Sequence, residues 1–542
     1  MPDNRNKRLH IDLGAAAYFL AAAVIACFLF YVRNMVLADH DSLYEFFLAR
    51  ENDFSFAFDR ALNFNLKRGR VGVVFPFVVA IRYLINGSGN YVAIWLLQYL
   101  PILSNIALIA HILRKTVGKG LSSLFIVLFA GLVQINRWHS LIICYPLDFM
   151  YGLFVMNLGL WIFYIYLNED KQSGFLHYGK IIVCALLAYE SFIVYEPFFV
   201  SVGAYAILAI YFAINEEKTF INRVKYLFIR LWPVALAALI FLILFYLHLN
   251  SEFVDDSPSY PVGHNIRNTV YTWGVISGGM FPLIYFFYPS SSKELINVTF
   301  MPSFFKILIS VLTFAASFVS LKYIAARKDT VKAKPCILMA IMGAFIAVFF
   351  ALPHSLTLLY QDWVVNDHQA GYVPTTICYF GWILFICSGL ALIVSRVNLS
   401  KGIVPVILAL LIAVSTYLTY SVNDGFRSVE YGQSEAVCLK NQALYSLFRS
   451  DVFREEEIDL IYTPQYMGIH NATETNEELA EFESGNELDL TKYGDEFDAL
   501  FDSYEHPARF EYDFERQEGI LYLYDNDGDH EADRSVIIPI AR

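Results

Sequence analysis

Charge is what this sequence has least of for its length. Of its 542 residues, 17% are Asp, Glu, Lys or Arg, against about 25% in an ordinary soluble domain. So little charge cannot coat a globule of this size, which excludes one large soluble domain. Cysteine is sparse too: the seven are Cys27, Cys144, Cys184, Cys336, Cys378, Cys387 and Cys438, and no two are spaced as CxxC. Only Cys438 falls after residue 421, so that stretch can close no internal disulfide and a thiolate zinc site there is disfavoured. The others lie in or beside apolar runs and read as small apolar filler. HExxH, GxSxG and Walker A motifs are all missing, which leaves soluble-type hydrolase and ATPase readings without support. No small-residue cleavage site follows the first apolar run; Arg5, Lys7 and Arg8 precede it, and together they read as a signal-anchor helix.

Apolar residues are present in excess: 57% of the chain is hydrophobic and 17% aromatic. They are bunched into runs near the roughly 20 residues that cross a bilayer. Eleven such runs are expected as membrane helices, near 12–32, 91–113, 120–136, 147–167, 177–190, 197–214, 229–248, 304–325, 336–352, 375–395 and 403–421. The third, fifth and ninth are short. Two further apolar stretches, 71–85 and 271–288, are interrupted by Pro76 and Arg82, and by Gly274, Gly278, Gly279 and Pro282, and are expected as interfacial or re-entrant segments.

Basic residues fix an expected orientation. With the N-terminus inside, the inside connections carry Arg114, Lys115 and Lys119; Lys171 and Lys180; Lys218, Arg223, Lys225 and Arg230; Arg327, Lys328, Lys332 and Lys334; then Arg396 and Lys401. Counting either interrupted stretch as a span would spoil that pattern. The expected organisation is a membrane module, 1–421, with outer loops 34–90, 249–303 and 353–374, followed by an acidic extracytoplasmic domain, 422–542. Between Val422 and Arg542 there are 29 acidic and 9 basic residues, a net charge of −20 against −12 for the whole chain. An acidic tail argues against nucleic acid as a partner, because phosphate binding needs clustered Lys and Arg.

The outer loops carry the chemistry. The first begins ADHDSLYEFF, which places Asp39, Asp41 and Glu45 just beyond the first helix, either as a hydrated loop start or as a base or cation ligand in a shallow outer cavity. It continues DRALNFNLKRGR, whose Arg60, Lys67, Arg68 and Arg70 run against the positive-inside bias. Such cations bind lipid headgroups in general or one particular phosphate, which the arginine fork suits. The fifth and sixth spans meet at LAYESFIVYEPFF, where Glu190 and Glu196 sit at the outer boundary; Arg137 and His139 of NRWHS are candidate ion-pair partners. Later segments add Asp255, Asp256, His264 and Arg267, then His354, Asp362, Asp367 and His368. For each lone histidine a surface or structural role competes with ligation. In the acidic domain, ILYLYDNDGDHEADRSVIIP reads as two strands around an acidic turn. Asp525, Asp527 and Asp529 have the spacing of a calcium loop, but glycine stands at the fourth place rather than the sixth and Val536 at the twelfth; a solvated turn is the competing reading. EIDLIYTPQYMGI reads as a strand and turn and DEFDALFDSY as a short amphipathic helix, so the domain is expected to be small and α+β.

Taken together, DHDS outside helix one, amphipathic segments before helix two, YESFIVYEP between helices five and six, and an outer C-terminal domain resemble the GT-C superfamily of membrane glycosyltransferases. Within it the chain is most similar to the bacterial O-antigen glucosyltransferase (Gtr) group. The resemblance implies a polytopic, multi-pass α-helical enzyme of the bacterial inner (cytoplasmic) membrane, in the cell envelope. It would transfer a sugar from a polyprenyl-phosphate donor to an extracytoplasmic glycan or lipid-linked acceptor, by an inverting displacement. Asp39 or Asp41 would be the base, and the other would orient the acceptor or hold a divalent cation, Mg²⁺ or Mn²⁺. Arg60, Lys67, Arg68, Arg70 and Arg267 would meet the donor phosphate. Glu45, Glu190, Glu196, Arg137, His139, His354 and His368 would line the acceptor pocket. Partners would be membrane lipid, the lipid-linked donor and the glycan. The C-terminal domain departs from the family pattern. Rival readings are a Wzy-like polysaccharide polymerase, a lipid or polysaccharide transporter, and a non-catalytic protein that displays the acidic domain.

Overall fold

A computed structural model describes residues 12–33, 35, 54–87, 90–135, 140–142, 146–169, 174–217, 219–249, 262–281, 284–288, 298–326, 332–396, 402–427, 443–444, 446–448, 450–463, 489–491, 494–513, 515–524 and 531–539. Its long helices are α1 (Leu13–Val32), α2 (Phe54–Lys67), α3 (Val74–Gly87), α4 (Tyr91–Thr116), α5 (Lys119–Leu132), α6 (Pro146–Leu167), α7 (Phe175–Val194), α8 (Ser201–Glu216), α9 (Phe220–Leu249), α10 (Ile266–Gly278), α11 (Phe304–Ala326), α12 (Ala333–Phe349), α13 (Leu358–Val365), α14 (Val373–Arg396) and α15 (Ile403–Arg427). Among the described residues, ten helices are long and apolar enough to cross a membrane, and the protein is a multi-pass helical membrane protein.

The expected third span, 120–136, differs in form: α5 is a helix of 14 residues, shorter than the ten helices of spanning length. It is short because it never meets lipid: it lies at the centre of the bundle, against α1, α4, α11, α14 and α15, with nearly every residue buried. Residues Val133–Ile135 carry the chain on in extended form and are also buried. Non-helical backbone at membrane depth must find partners inside the protein, and here it does. The Tyr379 hydroxyl donates to the carbonyl of Phe129 at 2.8 Å and Tyr420 to that of Ala130 at 2.9 Å, satisfying orphan carbonyls of the last helical turn. Asn423 donates to Val133 O and accepts from Ile135 N, both at 2.9 Å.

α5 nonetheless runs from one end of the bundle to the other. A Cβ on Gly14, at the start of α1, would lie 3.2 Å from Tyr323 and 3.4 Å from Lys119. At the opposite end Tyr31 stacks on Phe305 at 5.2 Å and meets Tyr420 at 4.9 Å. α1, α5 and α15 are therefore parallel, and α11 is antiparallel to them. The expected short spans 177–190 and 336–352 are longer than read: α7 has 20 residues, and the apolar run from Ala333 continues to Ser355. α15 reaches Arg427 rather than stopping at 421. The interrupted stretches 71–85 and 271–288 form α3, and α10 with a further turn at Ile284–Phe287; neither reaches spanning length.

The basic connections gather at one end. There Lys180 and His177 pair with Glu169, Arg230 lies over Tyr166 at 4.9 Å, and Lys334 donates to Asn215 at 2.8 Å. The tightest helix pair is α12–α14. A Cβ on Gly381 would meet Ala347 N at 2.4 Å, and one on Gly343 would meet Phe385 N at 2.5 Å. Small residues let backbones approach when hydrocarbon outside removes any hydrophobic drive. Replacing Gly381 by Val is expected to separate the pair, because the atoms in the way are backbone and cannot swing aside. Thermal unfolding in detergent should show a loss larger than Gly389→Val, whose Cβ meets nothing within 4 Å.

In the C-terminal region five strands, β1 (Leu460–Tyr462), β2 (Asp489–Thr491), β3 (Pro507–Asp513), β4 (Glu518–Leu523) and β5 (Arg534–Ile538), form one sheet in the order β2-β1-β3-β4-β5. β1 pairs in parallel with β2 and β3, while β3-β4-β5 is antiparallel. The expected hairpin is β4–β5, the expected strand is β1, and the expected amphipathic helix is Gly494–Leu500, whose Phe497 stacks on Tyr462 at 5.2 Å. The acidic turn with Asp525, Asp527 and Asp529 lies outside the described residues.

Candidate functional site

The site forms where the α2–α3 hairpin meets the ends of α6 and α7 that lie away from the basic connections. α2 and α3 pack on each other as a hairpin. Both are amphipathic: Ala57, Ala61, Phe75 and Val79 face inward, while Phe54, Phe56, Phe64, Val74 and Phe77 stay exposed. The pattern is that of a helix lying along a membrane interface. The elbow between them, Arg68–Val73, contains Gly69 at φ +72°, and Gly72, whose Cβ would stand 2.2 Å from Ile193. Glycine at both lets the elbow lie flush on the end of α7.

Under the elbow lies a layer of polar contacts. Arg70 is buried, and its Nε and Nη2 donate to the two carboxylate oxygens of Glu196 at 2.8 and 2.7 Å. Its Nη1 donates to Val194 O at 3.2 Å. This is the bidentate fork that favours arginine over lysine. The Tyr189 hydroxyl donates to Val71 O at 2.5 Å. Glu190 accepts from the Tyr151 hydroxyl at 3.1 Å and from the backbone N–H of Phe75. Tyr195 shares a hydrogen bond with His354 Nε2, and the buried imidazole is boxed by Tyr360 and Tyr372, with ring centroids at 4.5 and 5.5 Å. One helical turn before Tyr151, Asp148 forms an ion pair with Arg82 at 2.6 Å, both largely buried.

The structure thus brings together Arg70, Glu190, Glu196 and His354. Glu196 pairs with Arg70; the expected partners Arg137 and His139 lie outside the described residues. Arg70 is accordingly turned inward onto a carboxylate. Lys67 at the end of α2 and Arg68 at the start of the elbow are exposed, with the Arg68 guanidinium 4.1 Å over Phe64, and Arg60 is half-buried. Arg267, in the first turn of α10, and His368, on the turn after α13 at φ +53°, are exposed and belong to the α10–α13 lobe. Asp39, Asp41 and Glu45 lie outside the described residues. So do Asp255 and Asp256. Among the described residues no group of three or more His, Cys, Asp or Glu is placed to hold a metal ion.

Two clusters escaped the sequence reading. One is Arg82–Asp148. The other joins α1, α11 and α15: Lys306, 2% exposed, stands 3.6 Å from Asp424, which accepts from Tyr31 at 3.0 Å, while Arg427 lies over the Tyr31 ring at 4.4 Å. Their signal was available, since Asp148 and Lys306 each sit within a turn of the start of an apolar helix, where an ionisable group is costly and normally paired.

A lateral apolar cavity of about 60 Å³ lies between α4, α6, α8, α12 and α14, lined by Ile109, Leu160, Trp161, Leu208, Met342 and Leu384 among others. It lies toward the basic end, away from the polar layer. No protein-family description, no curated protein and no solved structure matches the chain.

Proposed function

We propose that this protein is a membrane glycosyltransferase of GT-C type. It moves a sugar from a polyprenyl-phosphate donor to an extracytoplasmic glycan or lipid-linked acceptor. The observation that carries the reading is the polar layer beneath the α2–α3 hairpin, at the end of the bundle opposite the basic connections. If those connections face the cytoplasm, as the charge bias directs, the layer faces outward and the acidic domain lies outside a bacterial inner membrane. A lipid-linked donor needs that geometry, because its chain stays in the bilayer while its phosphate waits at the outer interface.

The chemistry is a single displacement. The acceptor oxygen attacks the anomeric carbon, the bond to the phosphate oxygen breaks, the phosphate leaves with the electron pair, and configuration inverts. Cations of α2 and the elbow, Arg60, Lys67 and Arg68, meet the developing phosphate charge. A carboxylate takes the acceptor proton; the resemblance names Asp39 or Asp41, with Mg²⁺ or Mn²⁺ held there if a metal is used. A polymerase reading has less to draw on, since it relies on outer arginines and both Arg70 and Arg82 are committed to carboxylates.

Purified protein incubated with a set of polyprenyl-phosphate sugars and glycan acceptors should release polyprenyl phosphate. Asp41→Asn should lower turnover by about 10²-fold or more. Absence of turnover with every donor, in the presence of Mg²⁺ and Mn²⁺, would overturn the reading.

A further inference from the structure

Glu190 and Glu196 lie on either side of one helix break, and their surroundings are opposite. Glu196 opens the turn Glu196–Val200, a helix start that favours negative charge, and is held by both arms of the Arg70 fork. Glu190 sits in the last turn of α7, where the helix dipole disfavours negative charge. Among the described residues no cation forms an ion pair with it. Two buried or half-buried carboxylates nearby each have a cation beside them: Asp148 has Arg82 at 2.6 Å and Asp424 has Lys306 at 3.6 Å. Glu190 is held by two uncharged donors, the Tyr151 hydroxyl and the Phe75 N–H. It is neither sealed nor open, being partly exposed. Carboxylates pushed apart by their surroundings mark acid–base assignments.

We infer that Glu190 is the proton acceptor of this site. The inference rests on the transferase reading and places the base on α7 rather than in the first outer loop. The acceptor hydroxyl approaches Glu190, its proton passes to the carboxylate, and its oxygen bonds to the anomeric carbon as the phosphate departs. Tyr151 holds the carboxylate in place during the transfer. Glu196, neutralised by Arg70, keeps the elbow in place and stays out of the proton transfer. The ionisable groups on the elements packed against α7 at this end are Asp148 and Tyr151 of α6, Arg82 of α3, Arg70 of the elbow, Glu196 of the following turn and Tyr246 of α9. Of these, Tyr151 touches Glu190, and both acids are already paired.

The test uses full-length protein in vesicles of defined phospholipid, with wild type, Glu190→Gln, Glu190→Asp, Tyr151→Phe and Asp41→Asn compared across pH. Glu190→Gln should cut kcat by about 10²–10⁴-fold with little change in acceptor KM, and should abolish the acidic limb of kcat/KM. Glu190→Asp should keep that limb at a lower rate. Tyr151→Phe, which frees one oxygen of its donor, should move the limb without removing it. Active wild type with an unchanged limb in Glu190→Gln, or a limb lost in Asp41→Asn instead, would overturn the inference. A second measurement does not depend on turnover: labelling with a hydrophobic carbodiimide, which attacks protonated carboxyls, followed by mass spectrometry. Glu190 should be modified increasingly as pH falls, and Glu196 and Asp148 should be spared. An unreactive Glu190 defeats the inference. A reactive Glu190 in a protein that transfers no sugar defeats the transferase reading while leaving the proton-accepting carboxylate in place.

Discussion

Replacing Arg70 by alanine is expected to produce a large loss of stability, and to do so through the group left behind. The guanidinium makes two hydrogen bonds to Glu196 and a third to the Val194 carbonyl. Removing it strands the carboxylate at the break between α7 and α8. Breaking a fully buried pair costs about 3–5 kcal/mol. The Glu196 side chain is 39% exposed, so water recovers part of that, and roughly 2 kcal/mol is the expected loss. Arg70→Lys keeps the charge but loses the planar fork, and should fall between wild type and alanine. The double variant Arg70→Ala/Glu196→Gln should be less damaged than the sum of the singles, since no charge is then stranded. Thermal unfolding of detergent-purified protein supplies the cycle. Strictly additive losses would show that the two side chains do not act as a pair.

How much of this was readable in the sequence depends on the range of the forces involved. The membrane body was legible because hydrocarbon imposes one rule on every span, and apolar runs of fixed length report it directly. The gathering of Lys180, Arg230 and Lys334 at one end was legible through the charge alternation of the connections. α5 is a shorter helix than its apolar run suggests. Its run is apolar because it is buried in protein on all sides, and composition does not separate that from burial in lipid. What ends it at Leu132 is Tyr379, Tyr420 and Asn423, residues about 250–290 positions away in sequence. No local pattern carries that distance.

The site divides in the same way. Glu190 and Glu196 stood out because carboxylates at a membrane boundary are costly, and Arg70 because it broke the positive-inside bias. That Arg70 and Glu196 bind each other could not be read, because 126 residues separate them and the elbow that joins them depends on glycines at 69 and 72. Arg82 was noticed as an obstacle to a crossing, when it is the partner of Asp148. Among the described residues, Arg70 and Glu196, Arg82 and Asp148, and Lys306 and Asp424 stand as opposite charges side by side, while Glu190 forms no ion pair.

The second large effect is expected at Asn423, far from that layer. Residues Val133–Ile135 pass through the packed interior without helical hydrogen bonds, and water cannot substitute there. Asn423 meets both needs with one side chain, its amide N–H donating to Val133 O and its carbonyl accepting from Ile135 N, at 2.9 Å each. It stands in for the edge of a neighbouring strand. Leucine at 423 has the same branched heavy-atom skeleton and no polar atom, so Asn423→Leu leaves a buried carbonyl and a buried N–H bare. Each costs about 1–3 kcal/mol, roughly 2–6 kcal/mol together. Asn423→Asp keeps the acceptor but turns an oxygen toward the Val133 carbonyl, so it should be damaging despite matching the shape. Tyr420→Phe removes the donor to Ala130 O alone and should cost about 1 kcal/mol. The expected order of unfolding temperature is wild type, Tyr420→Phe, then the two Asn423 variants. A leucine variant as stable as wild type would mean that the chain beyond α5 finds its partners elsewhere. The loss is structural in origin, so whatever activity survives should keep the wild-type pH profile, which separates this position from Glu190.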